Sequence, residues 1–280
     1  HTLAILEKYT ETSQLLEAVA DADALIVRSD KVTAEVIAAA PQLKIVVRAG
    51  AGFDNLDLEA CSARKIVAMN TPGQNSNAVA ELALGMMVFM NRNQFNPGTG
   101  SELKGKTIGI QAYGNVGRLV GQLAMGFGMK VLAFDPFLPD EAIESTGAEV
   151  AASLEDLYSR SNFVSLHIPA TPQTKGSIGY DLVSKMPKGG CLINTARKEV
   201  IDEEGLVKIL EEREDLRYVA DVAPDCAAQM AEKFGKRFFA TPKKMGAETA
   251  EANINAGLAA ASQICGFFAD GNTRFQLNKF

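Results

Sequence analysis

The stretch IGIQAYGNVGRLVG, residues 108–121, decides the fold prediction for this chain. An apolar run gives way here to a helical pattern, and two glycines, Gly114 and Gly117, lie around the turn between them. Such glycines let a backbone approach a phosphate and let a helix pack closely on a strand, while the helix start offers N–H donors. Ala112 occupies the first position of the full pattern G-x-G-x-x-G, so close packing alone explains Gly117 about equally well.

An acidic residue one strand further on favours a dinucleotide site over a packing role. Asp135 ends the next apolar run, VLAFD, 18 residues after Gly117, where a carboxylate can accept hydrogen bonds from both hydroxyls of a ribose. No arginine follows it to receive a 2′-phosphate, because Pro136 and Phe137 come next. The pattern therefore predicts NAD rather than NADP as the cofactor. The predicted contacts in this part of the chain are Gly114, Asn115, Val116, Gly117 and Asp135.

Strand-like and helix-like patterns alternate on both sides of this stretch. Segments with helical spacing separate short apolar runs such as TLAIL (2–6), ALIVR (24–28), KIVVRAG (44–50) and FFATP (238–242). Continuous apolar strands separated by helices are typical of a parallel sheet that is covered on both faces. Because two such series follow one another, the sequence predicts an α/β fold with two doubly wound, Rossmann-like domains.

The composition is that of an ordinary globular protein, and it excludes several classes of function. The 280 residues are 47% hydrophobic and 22% charged with a net charge of −6, so no basic surface for nucleic acid is expected. No apolar run reaches the length of a membrane span, and no signal peptide is visible. The four cysteines lack C-x-x-C spacing, which indicates reduced thiols, no metal site and a cytoplasmic location.

Several further motifs resemble the D-2-hydroxyacid dehydrogenase family, in the order in which that family has them. They are VRAGAGFDNLD (47–57), NSNAVAEL (75–82), SLHIPATPQTKGSIG (165–179) and INTARKEVIDEEGL (193–206). The likeness covers nearly the whole chain. It implies an NAD-binding domain over residues 72–245 and a discontinuous substrate-binding lid domain over residues 1–71 and 246–280, with the substrate in the cleft.

The resemblance also implies which residues contact the substrate and the cofactor. Arg197 corresponds to the arginine that clamps the substrate carboxylate and carbonyl, a task that suits the planar fork of a guanidinium. Lys198 stands where the family has a glycine, which leaves the local turn geometry open. The glycine loop that holds the carboxylate on N–H groups corresponds to Ala49, Gly50, Ala51 and Gly52. Further cofactor contacts correspond to His167, Thr195, Ala196 and Asp221.

The position of the family's acid–base histidine holds lysine in this chain. The family has a histidine after a Thr-Pro pair, whereas Lys243 and Lys244 follow Thr241-Pro242 here. The chain's two histidines lie elsewhere, at the N-terminus and in the cofactor motif. Either a lysine is the general base, or the protein binds NAD without catalysing hydride transfer. A lysine base requires a pKa lowered from about 10.4, which burial and a neighbouring arginine favour.

Two ways of counting select different lysines. Counting from Pro242 selects Lys243, and counting back from the helix after Gly246 selects Lys244. We expect Lys244 to be the base, because the helix start is the firmer reference point, and Lys243 to be solvated or a phosphate contact. The family's third catalytic group is a glutamate, and Asp225 is the nearest carboxylate. We expect Asp225 to orient Arg197. The alternative, nearly as well supported, is that Asp225 is only a turn residue without a catalytic role.

A phosphorylated substrate needs cations in the lid domain, and the chain has candidates for them. Arg28 and Arg48 each end a predicted strand, and Lys31 is close to the first of them. The resemblance implies oxidation of 3-phosphoglycerate by NAD, and these cations would suit its phosphate. A glyoxylate or hydroxypyruvate reductase of the same family is the alternative enzyme, and a non-catalytic NAD-sensing protein is the alternative from another class.

The apolar helix over residues 77–91 predicts how the protein assembles. Its apolar residues surround the whole circumference, so one side is expected to form an exposed patch at the interface of a homodimer. From the two chain ends we also expect a missing N-terminal piece and no C-terminal serine-binding domain.

Overall fold

The structure is a computed structural model that describes residues 2–280. The chain divides into two compact units, which we call the terminal unit (residues up to Asn75 together with Thr249–Phe280) and the central unit (Ser76–Glu248). The domain boundaries predicted after residues 71 and 245 lie within four residues of these divisions. Each unit is an α/β layer structure with its own parallel sheet, so the predicted fold class is confirmed.

The terminal unit contains a parallel three-stranded sheet in the order β1-β2-β3. Its strands are β1 (Ala24–Val27), β2 (Ile45–Arg48) and β3 (Val67–Asn70), and its first helices are α1 (Thr12–Ala18), α2 (Ala34–Ala39) and α3 (Leu58–Ala63). Successive residues of β2 point to opposite faces, because Val46 packs in one buried cluster while Ile45 and Val47 pack in another. Both faces of this small sheet are therefore covered.

The predicted strand TLAIL is wrong. Residues 2–10 contain no helix or strand, and Leu3 and Ile5 are 81% and 72% exposed. An apolar run becomes a strand only where a neighbouring strand accepts its hydrogen bonds, and the sheet of this unit ends at β1.

The central unit contains a parallel seven-stranded sheet in the order β10-β9-β8-β7-β4-β5-β6. Its strands are β4 (Thr107–Gln111), β5 (Lys130–Phe134), β6 (Glu149–Val150), β7 (Phe163–Leu166), β8 (Cys191–Asn194), β9 (Arg217–Ala220) and β10 (Phe238–Ala240). Its helices are α4 (Ser76–Asn91), α5 (Asn115–Gly126), α6 (Asp140–Glu144), α7 (Leu154–Arg160), α8 (Tyr180–Val183), α9 (Glu203–Glu212) and α10 (Ala227–Phe234). The strand order reverses between β4 and β7, and the carboxyl ends of the strands at such a switch point form a ligand-binding crevice.

Helix α4 packs on the central sheet, but it does not expose the apolar patch that the sequence suggested. Its Val79, Leu84, Met87 and other apolar residues are buried, and Leu82, Val88 and Phe89 are half-buried. The exposed positions are polar or small, namely Asn77, Glu81 and Gly85. The helix is apolar all round because the unit's own core surrounds most of it.

The last helix, α11 (Ala250–Asp270), returns to the terminal unit. The Thr249 hydroxyl accepts a hydrogen bond from the backbone N–H of Ala252 and caps its start, and Gly271 ends it with a left-handed φ of 71°. Ala256 and Ala260 are fully buried against the sheet face formed by Ile45 and Val47. None of the helices in residues 2–280 is long and apolar enough to cross a membrane.

Candidate functional site

The glycine-rich turn connects β4 to α5, and its two glycines serve different purposes. A Cβ on Gly117 would lie 2.3 Å from the carbonyl oxygen of Ala112, so this position packs too closely for any other residue. A Cβ on Gly114, the residue that caps α5, would have no atom within 4 Å. Packing therefore explains Gly117, whereas Gly114 leaves open space at the start of a helix, as a bound pyrophosphate requires.

Ala112 has the backbone conformation of the glycine that it replaces. Its φ is +72°, in the left-handed region that residues other than glycine rarely adopt. Hydrogen bonds on either side hold it there. The N–H of Ala112 donates to the carbonyl of Phe134 at 2.9 Å, and that of Tyr113 donates to Oδ2 of Asp135 at 2.8 Å. The turn thus keeps its shape without the first glycine of the pattern.

Asp135 lies beside this turn because β5 pairs with β4. Its Oδ2 accepts from Tyr113, and its Oδ1 accepts from the backbone N–H of Phe137 at 2.9 Å. A carboxylate has about four acceptor sites, so two hydrogen bonds leave capacity for the hydroxyls of a ribose. One group that the sequence interpretation missed is Arg118, whose Nε donates to the carbonyl of Tyr113 at 3.1 Å. Arg118 lies one helical turn after Gly114, and this spacing is the signal that could have indicated it.

Three more predicted cofactor contacts, His167, Thr195 and Ala196, follow the carboxyl ends of β7 and β8, and β7 pairs with β4. Burial lowers the pKa of His167 to about 3, so its ring is neutral, and its Nε2 lies 3.0 Å from Oγ of Ser165. Thr195 is buried, and its Oγ1 has no hydrogen-bond partner among residues 2–280. A buried hydroxyl without a partner is costly, which fits a position that a ligand completes. The open space at Gly114, the acceptors of Asp135 and this hydroxyl together suit NAD.

The turn after β8 presents Arg197. The side chain of Asn194 holds this turn, since its Oδ1 accepts from the N–H of Ala196 at 3.0 Å and its Nδ2 donates to the carbonyl of Arg197 at 2.9 Å. Arg197 is half-buried, and no carboxylate within the described part of the chain forms an ion pair with it. A guanidinium in this setting is available to bind an anionic substrate group.

Asp225 does not orient Arg197, which corrects the expectation from the sequence. Its carboxylate lies 2.5 Å from Nζ of Lys198, and this ion pair raises the pKa of the lysine. The backbone N–H of Asp225 donates to Oε1 of Glu203 at 2.8 Å, so the residue is fixed from both sides. The reason is the substitution noted in the sequence, because Lys198 places a cation where the family has a glycine. A catalytic contribution of Asp225 stays a prediction.

Asp221, at the end of β9, holds the loop that carries the two lysines. This fully buried carboxylate accepts from the N–H of Met245 at 2.7 Å, from the N–H of Gly246 at 2.8 Å and from the hydroxyl of Thr241 at 3.0 Å. Lys243 and Lys244 lie within this clamped segment, and both are exposed. The sequence predicted a cofactor contact for Asp221, whereas its visible partners are groups of the lysine loop.

Strand pairing brings several of these residues to one edge of the sheet. Strands β8, β9 and β10 are neighbours, and all three are parallel. Their carboxyl ends lead directly into Arg197, Asp221 and the lysine loop. The central unit therefore combines an arginine, a lysine loop and an NAD crevice at the carboxyl edge of a single sheet.

The terminal unit places Arg28 and Arg48 together with the glycine loop. Arg28 follows β1, and Arg48 is the last residue of β2. The two strands pair, with Val27 of β1 opposite Arg48, so the two arginines lie at adjacent strand ends. Nε of Arg48 donates to the carbonyl of Arg28 at 3.0 Å, and Nη1 of Arg28 donates to the carbonyl of Ala49 at 2.9 Å. A Cβ on Gly50 would lie 1.6 Å from Nη1 of Arg48, so the loop leaves room for this side chain only with glycine there. The predicted loop residues Ala51 and Gly52 follow.

The described residues contain no group of three or more histidine, cysteine or acidic side chains that could hold a metal ion. All four cysteines are free thiols, and Cys61 and Cys191 are buried.

Comparisons with known proteins agree with this arrangement. Residues 78–242 match the family described as "D-isomer specific 2-hydroxyacid dehydrogenase, NAD binding domain". The D-3-phosphoglycerate dehydrogenase of Methanocaldococcus jannaschii is 37% identical over 266 residues, which cover 90% of this chain and 51% of that protein. The hydroxypyruvate reductase of Thermotoga maritima is 37% identical over 218 residues, which cover 73% of this chain and 70% of that protein.

A solved structure is more similar still. The NAD+-bound 3-phosphoglycerate dehydrogenase of Entamoeba histolytica is 53% identical, with a TM-score of 0.87 over 98% of this chain and 88% of that one. The chain spans about half the length of the first curated relatives that it matches. The family match covers the glycine-rich turn and the strand ends that lead into Arg197 and Asp221.

Proposed function

This chain belongs to the D-isomer specific 2-hydroxyacid dehydrogenase family, and from this premise we propose that it oxidises D-3-phosphoglycerate to 3-phosphohydroxypyruvate. NAD, when bound, accepts the hydride. The proposal is carried by the shared sheet edge, where Arg197 and the lysine loop follow strands of the unit that binds NAD. The relatives of M. jannaschii and E. histolytica bear the name of this activity.

The central unit supplies the groups that act on the reacting carbon. Arg197 binds the substrate carboxylate and the oxygen on C2, because a guanidinium offers two parallel N–H donors and stays charged. Lys244 removes the proton of the C2 hydroxyl as the hydride leaves, and its ammonium form returns a proton to the carbonyl oxygen in the reverse direction. General base catalysis of this kind contributes about 10²–10⁴-fold to the rate. Lys243 is its exposed neighbour and a contact for the substrate phosphate.

The terminal unit supplies the groups that select the substrate. The N–H groups of the glycine loop, residues 49–52, bind the carboxylate, and Arg28 and Arg48 bind the phosphate. The two arginines lie at adjacent strand ends, and charge-assisted hydrogen bonds to a phosphate are each worth about 1.5–3 kcal/mol. The terminal unit thus has the role of a substrate-binding domain and the central unit that of a cofactor domain.

A hydroxypyruvate reductase is the second candidate. The observation in its favour is coverage, since this chain covers 70% of the T. maritima reductase but only about half of the phosphoglycerate dehydrogenases. Such an enzyme acts on a substrate without phosphate, so it has no use for the paired arginines of the terminal unit.

The proposed setting is a cytoplasmic homodimer that opens serine biosynthesis. Glycolysis supplies 3-phosphoglycerate in the cytoplasm. The interface proposed from the sequence is α4, whose exposed positions in this structure are Asn77, Glu81 and Gly85 rather than an apolar patch. Sedimentation at micromolar concentration tests this assembly, and a monomer would contradict it.

Initial rates with a panel of substrates test the function. We expect NAD reduction with D-3-phosphoglycerate to exceed that with D-glycerate or D-lactate by at least about 100-fold in kcat/KM, the combined effect of two phosphate contacts. A preference for glycerate, with fast reduction of hydroxypyruvate, would support the reductase instead. NAD binding without turnover of any 2-hydroxy acid would show a non-catalytic protein.

A further inference from the structure

A polar cavity of about 330 Å³ lies in the central unit, far along the sheet from the NAD crevice. Its walls come from the amino ends of four strands and from the end of α4 and the segment after it, where Asn91, Asn93, Thr99, Gly100 and Ser101 line it. Lys106 precedes β4, Asn162 precedes β7, Lys188 precedes β8, and Arg217 is the first residue of β9. Because all four strands are parallel, this is the edge opposite the one that carries Gly114. None of the site residues predicted from the sequence lines it.

The cavity has an excess of positive charge. Lys106, Lys188 and Arg217 line it, no acidic residue does, and none of the three forms an ion pair with any of residues 2–280. Burial lowers the pKa of Lys106, and the charge of Arg217 lowers it further, while Glu102 partly opposes the shift. The other carboxylate nearby, on Asp215, is held by Arg213 at 2.8 Å. The repulsion among the three cations is therefore not neutralised by the protein.

The same wall offers hydrogen-bond donors. Arg217 uses three of its five N–H groups, for the carbonyls of Met90 and Gly189 and for Oδ1 of Asn91, so the guanidinium is fixed and two donors remain. The Oδ1 of Asn162 accepts from the N–H of Thr107, which directs its Nδ2 elsewhere, and this Nδ2 donates to no group within residues 2–280.

We propose that this cavity is a binding site for a small phosphate-bearing anion with two or more negative charges. A dianion offsets the charge of the lining, and its oxygens accept from the fixed guanidinium, the two ammonium groups and the amide of Asn162. Arginine and lysine are the residues that bind phosphate, one through a rigid fork and the other as a point charge. The volume suits a diphosphate or a short phosphate ester better than one inorganic phosphate, since binding pockets for small molecules begin at about 300 Å³.

Such a ligand would also stabilise the segment that connects α4 to β4. Three successive residues in it, Asn93, Gln94 and Phe95, have φ values of 54°, 56° and 58° without being glycine. Contacts from the cavity wall help to hold this left-handed turn, because Arg217 binds the end of α4 and Lys106 binds Ser101. An anion that draws these two cations together strengthens the same contacts.

The first test reads the site directly. The full chain, saturated with NAD, is treated briefly with acetic anhydride in the presence and absence of pyrophosphate, and peptide masses give the acetylation rate of each lysine. We expect millimolar pyrophosphate to protect Lys106 and Lys188, while the exposed Lys130 and Lys185, which do not line the cavity, react at unchanged rates. Equal rates for Lys106 and Lys188 with and without pyrophosphate overturn the proposal. Protection by citrate but not by pyrophosphate overturns the ligand class.

A second test uses variants and does not depend on enzyme activity. In calorimetric titrations of the NAD-saturated protein at constant ionic strength, Lys106→Ala with Lys188→Ala should weaken pyrophosphate binding by at least about tenfold, as the loss of charge-assisted contacts predicts. The matched control combines Lys130→Ala with Lys185→Ala and should leave the binding unchanged. An unchanged dissociation constant in the cavity variant, whose folding is verified by its melting temperature, rejects the site.

Discussion

The backbone N–H of Gly246 donates to Oδ2 of Asp221 at 2.8 Å, and this contact joins the end of β9 to the loop after β10. A Cβ on Gly246 would lie 2.9 Å from the same oxygen, so the approach requires glycine. The second carboxylate oxygen accepts from Met245 and Thr241. A single buried aspartate thus fixes both sides of the two-lysine segment, so the position of the proposed base depends on this carboxylate.

The first prediction therefore concerns Asp221→Asn. An asparagine keeps one acceptor but turns an NH2 group towards a backbone N–H, so one loop contact is lost at a cost of about 1–3 kcal/mol. We expect a lower melting temperature, and turnover that falls more than NAD affinity does. The exposed Asp181→Asn serves as the control. If NAD affinity falls and turnover at saturating NAD does not, Asp221 contacts the cofactor instead, as its sequence position suggested.

The second prediction separates the two lysines. Lys244→Ala should lower turnover at least about 100-fold, the contribution of a general base, with NAD binding changed only a few-fold. Lys243→Ala should retain most of the turnover. Because only the neutral amine accepts a proton, the oxidation rate of the unmodified protein should rise from about pH 7 to about pH 9. The opposite ranking of the two variants would move the role to Lys243, and full activity in both would rule out a lysine base.

The third prediction concerns the phosphate. Arg48→Ala removes a guanidinium whose contact with a phosphate is worth about 1.5–3 kcal/mol, so the KM for D-3-phosphoglycerate should rise by about 10–100-fold. The KM for an unphosphorylated 2-hydroxy acid should change much less. Lys44→Ala is a suitable control, since this exposed cation of the same unit pairs with Asp23. Equal effects on both substrates would indicate that Arg48 only supports the carbonyl of Arg28.

The sequence predicted the fold well because buried parallel strands and their helices leave a strong periodic pattern. It failed at TLAIL, where the pattern does not reveal whether a neighbouring strand exists. It placed the paired arginines and the lysine loop at strand ends, but it did not predict the Lys198–Asp225 ion pair, which depends on side-chain reach across a turn. The sequence also did not predict the cationic cavity. Residues 106 and 217 are far apart along the chain, and only the strand order brings them together.

The fourth prediction concerns backbone strain at Ala112. A left-handed conformation costs a residue with a Cβ about 1–2 kcal/mol, whereas glycine loses about 0.5–1 kcal/mol through the freedom of its unfolded chain. Ala112→Gly should therefore raise the stability by about 0.5–1 kcal/mol and increase the melting temperature, with NAD affinity retained. The control Ala142→Gly lies in helix α6, where glycine is unfavourable, and it should lower the stability and the melting temperature. A loss of stability at residue 112 as well would mean that the turn carries little strain.

The last prediction uses the imidazole of His167, which is half-buried. Its pKa in the folded protein is lowered to about 3, while an unfolded chain has about 6.5, so the unfolded state binds an extra proton between these values. The neutral ring thus contributes stability that is complete above about pH 6.5 and is lost progressively as the pH falls towards 3. From about pH 8 to about pH 5 this single group should lower the free energy of unfolding by about 2 kcal/mol. Urea midpoints measured over that range should fall more steeply for the unmodified chain than for His167→Gln, whose amide can still bond to Ser165 but does not titrate. Parallel curves for the two proteins would mean that the pKa of this imidazole is nearly the same in the folded and unfolded protein, and the lowered pKa would then be wrong.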